Sequence, residues 1–189
     1  MAGGPVVLVL ASGRGERFRA SGGAGSKLQA LLAGRPVLQH TVAAARASGL
    51  RVHVEDAGHP GMGDSIAAAV NATRDADGWL VLPGDLPLVR AQTLRAVAQE
   101  AFAGAAHPRT AVLVPTYQGV RGHPVAFSRD CVDELLALSG PEGASSIVKH
   151  WTAQGRVMQL EIGDPGVVTD VDSLEDLARA EAILRARGS

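Results

Sequence analysis

The sequence predicts an α/β domain with a mostly parallel central sheet. Three observations carry this prediction. Short aliphatic runs alternate with longer amphipathic segments. Hydrophobic residues make up 46% and charged residues 20%, enough apolar material to order a core. The length of 189 residues suits one core and is short for two. Strands are expected at 5–11, 51–55, 78–83, 110–115, 123–127 and 156–162, each an apolar run bounded by Gly, Pro or Asp. A helix is expected over 36–48, with Pro36 in its first turn and Gly49 just past its end. Further helices are expected over 65–73, 91–103, 130–138, 143–154 and 174–187. The last has Ser173 as N-cap and Glu175 and Asp176 in its first turn, where carboxylates complement the helix dipole. No repeat, low-complexity tract or linker interrupts the pattern, so one domain over 1–189 is expected.

Charge and cysteine content exclude several classes. Lys and Arg number 18 against 19 Asp and Glu, a net charge of −1, which does not fit a protein that neutralises many phosphates of a duplex. Small anions held by a few placed cations remain compatible. Cys131 is the single cysteine, so no internal disulfide forms, and no Cys/His spacing suits zinc. Cys131 reads as structural. No apolar stretch approaches the roughly 18 residues needed to span a bilayer, and Val6 is reached without a basic leader. No nucleic-acid or membrane partner is expected, and the expected location is cytoplasmic. Sixteen of the basic residues are arginine, leaving Lys27 and Lys149 as the two lysines.

In a parallel α/β sheet, ligands collect at the carboxyl ends of the strands. The first strand ends in Leu10-Ala11-Ser12-Gly13-Arg14-Gly15-Glu16-Arg17 and continues through small residues to Lys27. Glycines let successive N–H groups converge on an anion, and Arg17 and Lys27 add full charges, which makes a cradle for phosphates. A Walker A loop is excluded because Ser26 precedes Lys27 and Leu28 follows it; a dinucleotide fingerprint is excluded because Phe18 stands where a third glycine is required.

Asp85, in Gly84-Asp85-Leu86-Pro87, projects a carboxylate from the end of strand 78–83 and can hold a metal or cap a turn. Asp170 and Asp172 alternate along an extended chain and so share a side, although one of them can instead serve the following helix start. The segment Gly61-Met62-Gly63-Asp64-Ser65 opens a helix whose free N–H groups can meet a nucleotide, or be capped by Asp64 or Ser65. His123, between Gly122 and Pro124, reads either as a buried histidine with backbone partners or as a fixed donor facing a substrate. The remaining histidines show no ligand spacing. Lys149 reads as part of a solvated face or as a contact to an anionic substrate.

In their order and separation these segments resemble the MobA-like nucleotidyltransferases. Leu10-Ala11-Ser12-Gly13, Arg17, Lys27 and Gly34-Arg35-Pro36-Val37 match the signature, with Lys27 ten residues after Arg17, further along than in the family pattern. Gly84-Asp85-Leu86-Pro87 matches the family's first acidic motif. Asp170 and Asp172 match its second, with Leu174 in place of a proline. Pro115-Thr116-Tyr117-Gln118-Gly119-Val120-Arg121-Gly122-His123-Pro124-Val125 is similar to a segment of the molybdenum cofactor cytidylyltransferases (MocA-type), as are 135–144 and 164–167.

The resemblance implies a three-layer Rossmann-like nucleotidyltransferase fold. It implies Mg²⁺-dependent transfer of a nucleoside monophosphate from an NTP, CTP, to a phosphorylated pterin-type acceptor, molybdopterin, with release of pyrophosphate. Arg17, Lys27 and Asp85 are then catalytic. The nucleotide meets these three together with Leu10, Ala11, Ser12, Gly13, Gly15, Gly63 and Ser65. Arg121, Gly122, His123 and Pro124 meet the acceptor, and Asp85 with Asp170 or Asp172 holds the metal. In this family the residue before Gly13 is glycine in guanylyltransferases and alanine in cytidylyltransferases; Ser12 is neither, and its size favours a pyrimidine. The alternatives are a guanylyltransferase or another small phosphate-acceptor nucleotidyltransferase of the same fold, or a non-catalytic chaperone delivering cofactor to a molybdoenzyme partner.

Overall fold

The computed structural model describes residues 3–12, 15–102 and 110–187. Five consecutive aliphatic residues need both faces of a strand covered, and Val6–Leu10 (β1) runs inside the sheet with both faces buried. Arg51–Glu55 (β4) pairs with it in parallel on one side and Gly78–Pro83 (β5) on the other. The seven-stranded sheet has the order β4-β1-β5-β8-β6-β7, with Val112–Tyr117 (β6), Val120–Arg121 (β7) and Val125–Ser128 (β8), and Val157–Glu161 (β9) also paired with β6. β8 lies antiparallel between β5 and β6; β9 pairs with β6 in parallel.

Alternation along the strands sends two apolar sets to opposite faces. Leu8, Val81, Val114 and Phe127 pack against Met62–Ala72 (α3), Val132–Leu136 (α5) and Ser145–Ala153 (α6) through Ile66, Leu135 and Ile147. Val7, Val9, Leu82 and Leu113 pack against Val37–Ala47 (α2) and Ala91–Phe102 (α4) through Ala45, Leu94 and Val97. The result is the expected three-layer, mostly parallel α/β fold. A third cluster joins Phe18 of Glu16–Ala20 (α1), the hairpin Leu31–Leu32 (β2) and Arg35–Pro36 (β3), Leu88, Val171, and Ala180 of Leu174–Arg187 (α7). No helix among the described residues is long and apolar enough to cross a membrane. Burial, with Glu134 and Asp130 nearby, pushes the Cys131 thiol up to about 12, in keeping with a structural residue.

Some boundaries differ from the sequence reading. α3 begins at Met62, three residues before the expected start, because Gly61 takes an extended conformation and ends the preceding loop. The helix expected over 130–138 shortens to α5 behind a 3₁₀ turn at Arg129–Cys131, and residues 137–144 turn back toward α3. The strand expected over 110–115 lies at Val112–Tyr117. α1 and the β2–β3 hairpin were not foreseen, being too short to display a period.

One buried carboxylate ties the C-terminal helix to the domain. Asp164 is 2% exposed and accepts from Arg90 N (3.0 Å), Thr93 Oγ1 (2.7 Å), Gly166 N (3.0 Å) and Arg187 Nη2 (3.0 Å). Asp164→Ala strands these donors and is expected to lower unfolding stability by about 3 kcal/mol. Urea denaturation measures this, and an unchanged midpoint would show that α7 docks without it.

Candidate active site

The glycine-rich loop is shaped by a few packing constraints. Ala11 N donates to Glu55 O (2.9 Å) and Gly84 N to Leu10 O (2.9 Å), so the ends of β4, β1 and β5 stay aligned as the loop departs. Gly15, at φ +60°, makes the left-handed turn into α1. Phe18 is 2% exposed, and a Cβ on Gly23 would stand 2.2 Å from its ring, so the chain can double back over Phe18 only with glycine there. Leu28 is buried, and its N–H donates to Ser26 Oγ (3.3 Å), fixing the 3₁₀ turn Lys27–Gln29. α1 and this return take up the extra length between Arg17 and Lys27.

The turn delivers Lys27 to a point between two carboxylates. Its Nζ lies 2.5 Å from Asp85 Oδ2 and 2.5 Å from Asp172 Oδ1, while Arg17 Nη1 reaches Asp172 Oδ2 at 2.6 Å. The Lys27 side chain is 12% exposed and that of Arg17 82%, so one cation is enclosed and the other faces solvent. Asp172 is placed by the start of α7. Ser173 Oγ accepts from Asp176 N (3.1 Å), and Asp176 Oδ2 accepts from Ser173 Oγ (2.7 Å) and Asp172 N (3.2 Å), a capping-box arrangement that anchors the residue beside the N-cap. Val171 N donates to Asp85 O (3.0 Å), binding the two acidic segments together.

Burial works against the Lys27 ammonium, but Asp85 and Asp172 raise its pKa above the ordinary 10.5. A raised lysine pKa means that the stabilisation is complete below 10.5 and is lost only as pH rises through the higher folded value. Partial burial, with Asp172 and Asp85 nearby, pushes the Asp170 carboxyl up. Asp170 shares the edge with Asp172, as expected from the alternation, but it stands toward solvent, outside the junction with Lys27.

A cleft of about 560 Å³ opens beside this junction, bordered by Ser12, Gly15, Arg17, Lys27, Gly61 and Asp172. A narrow groove lined by Leu10, Ser12, Lys27 and Asp85 continues from it. The structure therefore gathers Leu10, Ser12, Gly15, Arg17, Lys27 and Asp85 at one place. Ala11 lines neither space, and Gly13 lies outside the described residues.

Gly63 and Ser65, expected to meet the nucleotide, are buried and engaged in contacts within the protein. Gly63 N donates to Gly140 O (2.9 Å), and a Cβ on Gly63 would lie 2.8 Å from Ser139 O, so this glycine seats the 137–144 loop. Asp64 Oδ2 accepts from Gly140 N (3.0 Å) in the same contact rather than capping the helix. Ser65 is fully buried; its hydroxyl donates to Gly61 O and also bonds Ser12 Oγ. The 137–144 loop, held by Gly63 and Asp64, contributes Pro141 to the cleft, and Met62 borders the cleft and the groove; neither residue type carries a cue beyond its neighbours.

The 121–124 segment borders a separate apolar cavity of about 360 Å³, which Arg121, Gly122 and His123 line. Pro124 is buried and is not part of the cavity lining. Gly122 is required because a Cβ would stand 2.3 Å from Val167 O. Burial pushes the His123 pKa down, against the pull of Asp85, the Val81 carbonyl and Asp170. Its Nδ1 is buried without a hydrogen-bond partner. The ring lines the cavity wall.

The donor set at the junction fits a hard divalent cation. Asp85 and Asp172 already converge on a positive charge with oxygen atoms, as Mg²⁺ requires. Among the described residues no cluster of three or more acidic, His or Cys side chains could enclose an ion, so phosphate and water oxygens would have to complete its shell.

Residues 7–157 match the family model of the MobA-like NTP transferase domain. The chain belongs to this family of nucleotidyltransferases. Bifunctional protein GlmU of Xanthomonas campestris pv. campestris (strain 8004) is 29% identical over 187 residues, covering 86% of this chain and 37% of GlmU, so the chain spans little more than a third of that relative. Rv0371c from Mycobacterium tuberculosis H37Rv superposes with a TM-score of 0.70 at 26% identity, over 94% of this chain and 97% of that one. A structure of the same protein in complex with manganese gives a TM-score of 0.69 at 24% identity, over 96% and 100%. A nucleotidyl transferase from Methanothermobacter thermautotroptrophicus (Mth528) shares the fold with a TM-score of 0.77 at 21% identity, over 96% and 98%.

In this MobA-like chain, replacing Lys27 removes the cation between Asp85 and Asp172 and leaves Arg17, on the far oxygen of Asp172, as their nearby counter-ion. Lys27→Met is expected to cost about 2 kcal/mol at pH 7. Urea denaturation at pH 7 measures it, and an unchanged midpoint would contradict the geometry.

Proposed function

We propose that the protein is an Mg²⁺-dependent nucleotidyltransferase that moves a nucleoside monophosphate from CTP to a phosphorylated acceptor of the molybdopterin type and releases pyrophosphate. The observation that carries this reading is the enclosure of Lys27 between Asp85 and Asp172 at the mouth of a small-residue cleft. Membership of the MobA-like family supports it.

Asp85 and Asp172 would hold the metal, and Asp170 would add negative charge beside them. When bound, Mg²⁺ neutralises phosphate oxygens and orders the triphosphate. Arg17, solvent-exposed and paired with Asp172, turns onto the departing phosphates, where Lys27 joins it. Gly15 lets the backbone approach the same oxygens. The acceptor phosphate is already ionised at neutral pH, so no strong base is needed, which agrees with a junction built from acids and cations alone. Rate acceleration then comes from alignment of the acceptor oxygen with the α-phosphorus and from neutralising charge as pyrophosphate leaves. Ser12, its hydroxyl tied to Ser65, sets the bulk at the tip of β1 and favours the smaller pyrimidine base. Arg121, Gly122 and His123 border the acceptor's space.

Asp85→Ala is expected to abolish pyrophosphate release while far-UV circular dichroism stays unchanged. The same variant loses the Mg²⁺-dependent rise in Tm that CTP gives the parent protein. A near-normal rate would remove Asp85 from the mechanism, and stabilisation by GTP in place of CTP would reverse the donor assignment.

A further inference from the structure

Glu55 closes β4 at its carboxyl end and is 8% exposed. A carboxylate so enclosed costs desolvation, and an apolar side chain would fill the same place without that cost. Its contacts show what it does there. Oε1 accepts from Ala57 N (3.2 Å) and lies 3.3 Å from His59 Nε2, while Oε2 lies 3.3 Å from His53 Nε2. Burial works to raise the Glu55 pKa, but His53, the Ala57 N–H and His59 together hold the carboxyl below its ordinary value, so it is ionised at neutral pH. Gly58, at φ +72°, makes the left-handed turn that brings His59 back to the strand end the chain has just left.

These contacts fix one border of the nucleotide cleft. Pro60, Gly61 and Met62 follow His59 directly and line the cleft from this loop; Ser12, Gly15 and Arg17 line it from the glycine-rich loop. The far end of the first loop is fixed by packing, because a Cβ on Gly61 would stand 2.0 Å from Gly140 O. The near end rests on the Glu55 carboxylate. The glycine-rich loop also depends on Glu55, whose main-chain oxygen accepts from Ala11 N (2.9 Å). The two attachments are separable: a side-chain substitution loosens residues 57–60 and leaves the main-chain bond to Ala11 in place.

We propose that Glu55 is a positioning residue for the nucleotide, its carboxylate acting through Ala57 and His59 to hold residues 60–62 at the distance from the glycine-rich loop that the bound molecule requires. The proposal rests on the nucleotidyltransferase reading for the identity of that molecule. Where the loop is loose, binding has to order it, and the cost appears as lost affinity. Lys27, Asp85 and Asp172 are held by other elements and keep their places.

Isothermal titration in Mg²⁺ with the α,β-methylene analogue of CTP, or of GTP if the parent protein binds GTP more tightly, compares four variants. Glu55→Leu is expected to weaken binding about tenfold and His59→Leu about threefold, in line with the loss of contacts that order the loop. Glu55→Gln keeps an acceptor for the Ala57 N–H and is expected to recover part of the Glu55→Leu loss. His53→Leu removes a contact to the same carboxylate from the strand side and is expected to stay within about twofold of the parent. A role confined to stability would lower the urea midpoints of the two histidine variants and leave affinity untouched in both. Unchanged affinity in folded Glu55→Leu or in His59→Leu overturns the proposal, as does an equal loss in His53→Leu and His59→Leu. If Glu55→Leu does not fold, the two histidine variants, each at a partly exposed position, decide the matter. Variants that bind as well as a nucleotide-binding parent overturn the proposal alone; a parent that binds none of the four NTPs overturns the underlying reading and the proposal with it.

Discussion

A single ammonium group set between two carboxylates organises this protein's chemistry. Lys27, Asp85 and Asp172 are separated by 58 and 145 residues along the chain, and three different elements must be correctly placed for them to meet. Two half-buried acids repel each other, so their convergence needs a cation at all times. Lys27 fulfils that need in the free protein, and the same arrangement is suited to exchange it for a metal and phosphates. The third apolar cluster serves this purpose. Phe18, Leu88 and Val171 lock the loop, the acidic turn after β5 and the approach to α7 against one another.

The spaces around the junction divide the work. The polar cleft lies toward the glycine loop, the apolar cavity lies toward α6, and Met62 borders both. The 137–144 loop stands between them, held to α3 by Gly63 and Asp64, with Pro141 facing the cleft and Gly143 the cavity. The two spaces therefore present different surfaces and still adjoin one pair of carboxylates.

Much of this was legible from local patterns. The strands were readable because a buried parallel strand is a continuous aliphatic run, and α7 because Ser173 and Asp176 carry a capping signal three residues apart. Lys27 and Asp85 stood out by residue type at strand ends. What escaped depends on partners distant in sequence. Gly63 and Ser65 look like ligand-facing small residues, but the Gly140 carbonyl and the Ser12 hydroxyl have already taken their bonding capacity. The choice between Asp170 and Asp172 at the junction depends on how α7 begins, which alternation alone does not state. The cavity was hidden because Val81, Phe127 and Ile66 read as ordinary core; Lys149, one of two lysines in an arginine-rich chain, was the available hint.

The central claim is that Lys27 and Asp172 act on one another and not merely near one another. A double-mutant cycle with Lys27→Met and Asp172→Asn, read by urea denaturation at pH 7, measures this coupling. The account predicts an interaction energy of about 1 kcal/mol or more, with the double variant less destabilised than the sum of the single ones. Additivity to within about 0.3 kcal/mol would contradict it.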